Sequence, residues 1–142
     1  MIYTRKTERQ AAASWEHVSV LSFSPLNGDY FEPGVVMPTA RLHPLFKDLW
    51  PGATNVCNPG GSNTAELFCH ILEAFGKKVR ETIPENQAIV LILDSGGGSW
   101  LHLSVRMASI AFKYNIRPYF LRAYLTKALC SLDQNPHATM AA

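Results

Sequence analysis

Few cysteines, little net charge and no long apolar stretch set the first bounds on this sequence. Cys57, Cys69 and Cys130 are odd in number and contain no Cys-x-x-Cys pair, which argues against a disulfide framework and a zinc ribbon and fits a reducing compartment. Thirteen Lys and Arg against eleven Asp and Glu give a net charge of +2. That field is too small to advertise nucleic acid or a membrane surface as a partner, and it bars neither. The longest uninterrupted apolar run, Ala88 to Leu93, falls far short of the roughly 20 residues of a spanning helix. The opening MIYTRKTERQ is charged where a signal peptide would be apolar. These absences predict an intracellular chain that does not enter the membrane.

What is present is the composition of a packed domain, with 47% hydrophobic and 17% charged residues in a chain of 142, enough for one domain with a core. Residues 1–14 have no clear period and carry Arg5, Lys6 and Arg9, so they read as a polar arm, and residues 15–142 as the domain. His17 to Phe23 and Tyr30 to Met37 are rich in β-branched and aromatic residues, and Asn27-Gly28 between them supplies the positive φ angles of a tight turn. An antiparallel hairpin is expected, with Pro33 tolerated at an edge or a strand start. Pro38 to Gly61 is punctuated by proline and glycine and reads as a connection, with one helical turn around Leu45 to Trp50.

Asn63-Thr64-Ala65-Glu66 has the spacing of a capping box with Asn63 as the cap. A helix should follow, with Leu67, Phe68, Ile71, Leu72, Phe75 and Val79 on one face, Glu73, Lys77, Lys78 and Arg80 mostly free to meet solvent, and a stop before Pro84. Ala88 to Leu93 is a continuous β-branched-rich run without alternation, the pattern of a central strand covered on both faces. Leu103, Met107, Ile110, Ala111 and Tyr114 then recur at helical spacing up to Asn115. Ile116 to Leu121 can return as a short parallel strand, with Pro118 keeping it near a sheet edge. The expected fold class is mixed α/β, in the order hairpin, helix, central strand, helix, short strand.

Chemistry is best placed at the end of the buried strand, because ligands of open α/β sheets gather at the carboxyl ends of strands. Asp94 ends that strand, and Asp133 follows the short parallel strand, one helix and one strand further on. A crossover of this kind brings two strand ends side by side, where a pair of carboxylates can share Mg²⁺ or Mn²⁺. Each aspartate alone also fits a bland role, Asp94 as a loop or helix cap and Asp133 as an exposed turn residue. Gly96, Gly97 and Gly98 would let a phosphate backbone approach closely, but they lack the lysine of a P-loop and the spacing of a dinucleotide fingerprint. Arg122 and Lys127 are candidates for steadying phosphates, against the plainer reading of a solvated face.

The blocks Val18 to Ser24 with Asn27-Gly28 and the strand to Met37, Gly61 to Phe68, Ile89 to Asp94, Asn115-Ile116 and Leu132-Asp133-Gln134 together resemble, in order and spacing, successive blocks of DDE superfamily transposases of the mariner and pogo kind. The resemblance runs through nearly the whole chain. It implies an RNase H-like mixed sheet and an endonuclease and strand-transfer site of three carboxylates and two metal ions, with Asp94 matching the second carboxylate and Asp133 the third. It also implies DNA as the partner and, if the chain acts on DNA, the nucleus as its location. The family's first aspartate lies on a strand before the hairpin, where this sequence has only the polar arm with Glu8, and the helix that follows the third carboxylate has no counterpart. The expectation is therefore a transposase-derived core that lacks its first strand and last helix and is inactive alone. Two rivals remain open: a non-catalytic domesticated DNA-binding or protein-interaction module on the same fold, and an unrelated small α/β domain that binds an anion at the glycine loop. Self-association into a homo-oligomer is left open by the residues.

Overall fold

The computed structural model of the protein describes residues 18–27, 31–41, 51–93 and 104–121. Seven elements follow one another in these segments: β1 (Ser19–Phe23), β2 (Phe31–Met37), β3 (Thr54–Cys57), α1 (Ala65–Thr82), β4 (Ile89–Leu93), α2 (Val105–Lys113) and β5 (Ile116–Phe120). The fold is mixed α/β, and the described residues form two helices and two small sheets, one ordered β1-β2-β3 and the other β4-β5.

The antiparallel hairpin expected of these two runs forms, and Gly28 of the Asn-Gly pair lies outside the described residues. β1 and β2 are antiparallel, with Ser19 opposite Val36, Leu21 opposite Gly34 and Phe23 opposite Phe31. The register shifts between Leu21 and Phe23, so that Glu32 and Pro33 together face Ser22. Pro33 therefore sits at an irregularity, where its missing N–H costs the ladder least. Gly34 is required by packing, since a Cβ there would lie 2.3 Å from Cγ2 of Ile71 on α1.

β3 was not expected. The stretch read as a bare connection contains Thr54–Cys57, which pairs in parallel with β2, Gly34 opposite Thr54 and Met37 opposite Cys57. The helical turn expected around Leu45 to Trp50 lies outside the described residues. With β1 on one side and β3 on the other, β2 is the central strand of its sheet, and Pro33 to Met37 are all buried. β4, for which burial on both faces was expected, instead alternates. Ile89, Leu91 and Leu93 pack on the helices, whereas Val90 and Ile92 are 65% and 53% exposed. Composition could not show this, because every residue of the strand is apolar on either face.

α1 places its apolar face as predicted, with Phe68, Cys69, Ile71, Leu72, Phe75, Gly76 and Val79 buried, and ends at Thr82 before Pro84. Its cap is Thr64 rather than Asn63: the Thr64 Oγ1 accepts from the N–H of Leu67 at 3.3 Å. Glu66 does not serve a capping box in this arrangement and stands near Arg106 at 3.7 Å on the surface. The charged residues are less free than expected. Lys78 pairs with Glu32 of β2 and donates to the carbonyl of Gly52, Glu73 pairs with Lys113, and Arg80 is held by backbone carbonyls. Lys77 alone of the four is exposed.

α2 is capped by Ser104, whose Oγ accepts from the N–H of Met107 at 3.0 Å. It stops where Asn115 turns to a left-handed φ of 46°, a conformation asparagine tolerates better than most residues. β5 then pairs in parallel with β4, from Ile89 opposite Ile116 to Leu93 opposite Phe120. The predicted strand, helix, strand unit is thus present.

One cluster serves both sheets, and a smaller one, Val36, Val56 and Ile71, joins α1 to the first sheet. Phe68, Leu72, Phe75 and Val79 of α1 and Met107, Ile110 and Ala111 of α2 form a cluster against which Leu21, Phe23 and Phe31 pack from the first sheet and Ile89, Leu91, Leu93 and Phe120 from the second. Phe75 stacks on Phe23 with ring centroids 4.1 Å apart and meets Phe31 edge-on at 5.5 Å. The second sheet is thereby placed against the same helices as the first, although no hydrogen bonds join β1 to β4.

Candidate functional site at the carboxyl ends of the parallel strands

β4 and β5 run in the same direction and keep register to their last residues, so their carboxyl ends lie together. The N–H of Leu121 donates to the carbonyl of Leu93 at 2.9 Å, extending the ladder one step past β5. Leu121 is buried. This anchor fixes the points from which the chain goes on to Asp94 after β4 and to Arg122 after β5. Asp94, Gly96, Gly97, Gly98, Arg122, Lys127 and Asp133, like the polar arm of residues 1–14, lie outside the described residues.

Beyond the glycine segment, the chain re-enters at Ser104. Its hydroxyl caps α2 and stands 3.6 Å from Cys69 Sγ on α1. The first turn of α2 contains no carboxylate and includes Arg106, a polarity compatible with an anion near that helix end. Between α2 and β5 lies an open groove of about 600 Å³ lined by Ala108, Ala111, Phe112, Arg117, Pro118 and Phe120 among others. Among the described residues its lining is apolar apart from Ser104 and Arg117. Among the described residues no group of three His, Cys, Asp or Glu side chains could hold a metal ion.

The opposite end of the second sheet is tied down by Arg80. Its guanidinium donates to the carbonyl of Tyr114 from Nε at 2.9 Å and from Nη2 at 2.7 Å, and to those of Asn115, Ile83 and Pro84. Asn115 in turn accepts from the N–H of Ile89 and donates from its side chain to the carbonyl of Glu85. One arginine therefore closes the end of α1, the turn before β4 and the turn before β5. Sequence reasoning assigned Arg80 to solvent. The available signal was a basic residue in a last turn shortly before a proline, where cations meet free carbonyls.

Among the described residues the titratable groups whose properties the fold alters lie on β2, α1 and α2. A hydrogen bond from Lys78 holds the Glu32 carboxyl below its ordinary value, and one from Lys113 does the same for Glu73. The Lys113 ammonium is raised by its contact with Tyr114 first and by Glu73 second, and it sits 5.0 Å from the centre of the Tyr114 ring. These are partly exposed pairs that join α1 to its neighbours. Comparison with protein-family models, with curated proteins and with solved structures finds no match to the chain.

Proposed function

We propose that the chain is part of a DNA-acting RNase H-like domain of the DDE transposase kind, in which Asp94 and Asp133 hold Mg²⁺ or Mn²⁺ and which does not cleave DNA alone. The observation that carries this reading is the β4, α2, β5 unit. Its parallel strands end together, and Asp94 is the residue directly after Leu93. Two carboxylates are hard oxygen donors, and the donor chemistry fits such ions, which take one or two carboxylates and keep several waters. When bound, the ions supply activation of water and stabilisation of the leaving oxygen in phosphodiester cleavage. In this reading Gly96, Gly97 and Gly98 admit the phosphate backbone, and Arg122 or Lys127 steadies it.

The split sheet also supports the reading. Among the described residues β1 pairs only with β2, and β4 only with β5, while both lie over the same helical cluster. The resemblance leaves out a strand at this place, the one that carries the family's first aspartate.

The test is a Mn²⁺ titration of the whole chain with a labelled DNA duplex. Metal should raise duplex affinity, Asp94→Ala and Asp133→Ala should each remove that increase, and no nicking should occur. Nicking lost in Asp94→Ala would overturn the claim of inactivity and make the chain an enzyme. Binding indifferent to metal and to both substitutions would replace the metal site with a non-catalytic module. Absence of duplex binding would overturn the proposal and favour a second reading, an anion-binding α/β domain, for which the carboxylate-free first turn of α2 after the glycines is the specific support.

A further inference from the structure

We draw no further inference here: the strongest candidate, the strand edges of β1 and β4 that have no partner among the described residues together with the exposed Val90 and Ile92 beside them, is an uncovered surface for which nothing in the structure shows what covers it.

Discussion

Replacing Arg80 by alanine tests whether one side chain holds the closed end of the β4-β5 sheet. The guanidinium reaches four backbone carbonyls, two of them 34 and 35 positions away in sequence, at Tyr114 and Asn115. Hydrogen bonds to charged groups contribute roughly 1.5–3 kcal/mol each when fully formed, but adding four such terms would overshoot. Arg80 is only partly buried, the Pro84 bond is exposed, and a freed carbonyl there regains water. The part-buried bonds to Tyr114 dominate, and a loss of about 2 kcal/mol is expected for Arg80→Ala. At about 1.4 kcal/mol per tenfold, the ratio of folded to unfolded chain falls roughly thirtyfold, readable as a lower urea midpoint at unchanged slope. Arg80→Lys should recover no more than about half of this, because a single ammonium cannot span acceptors on both sides as a planar fork does. Hydrogen exchange gives the local reading: the Ile89 amide, bonded to the Asn115 carbonyl, should exchange faster in Arg80→Ala. A change within about 0.5 kcal/mol, or a lysine variant as stable as the parent, would refute the reasoning.

Two further outcomes follow from contacts on α1. Gly34→Ala should cost about 1–3 kcal/mol, since the new methyl meets the fully buried Ile71 and overpacks the sheet-helix contact. In an Ile71→Ala background the cost should shrink by at least about 1 kcal/mol, and equal costs in both backgrounds would show that the clash is not the cause. Glu32 and Glu73 have folded-state pKa values lowered by Lys78 and Lys113, so their stabilisation is present above the ordinary value of 4.5 and is lost as pH falls through the folded values. Urea midpoints of the Glu32→Gln, Glu73→Gln double variant should accordingly vary less with pH below 4.5 than those of the parent; parallel curves would remove these pairs from the acid response.

What the sequence made legible was local. The hairpin could be read because two runs rich in β-branched and aromatic residues lie close together in sequence, and α1 because six apolar residues share one helical face. β3 escaped because four residues between glycine and proline carry no periodic signal, and their parallel partner β2 is remote in sequence. The capping residue moved from Asn63 to Thr64 because both can cap, and composition does not choose between neighbours. Arg80 escaped for the same reason as β3, since its main acceptors come from another element. For the candidate site, the sequence predicts the crossover that aligns two strand ends, and the structure contains it, while the carboxylates Asp94 and Asp133 stand beyond the described residues and remain a proposal.

β2 is paired on both sides, whereas β1 and β4 each expose one edge among the described residues, and an unpaired edge is a row of free donors and acceptors ready to accept another strand. Amides of β2 should therefore exchange only through global unfolding, whereas those amides of β1 and β4 not donated to β2 or β5 should exchange by local opening, with far lower protection. The comparison is internal, because Leu21 and Phe23 of β1 and Leu91 and Leu93 of β4 pack on the same helical cluster that supports the second sheet and the hairpin. Burial differs between the strands, since Pro33 to Met37 are buried whereas Val90 and Ile92 are exposed, so the comparison is confined to the inward-facing Leu21, Phe23, Leu91 and Leu93. If the two edges prove as protected as β2, a strand covers them in solution and the sheet is continuous. If they exchange freely, the helices alone hold the halves together, and the substitution in α1 that weakens this layer most, Leu72→Ala at a fully buried position, should loosen both sheets in concert, at a cost of about 2–5 kcal/mol.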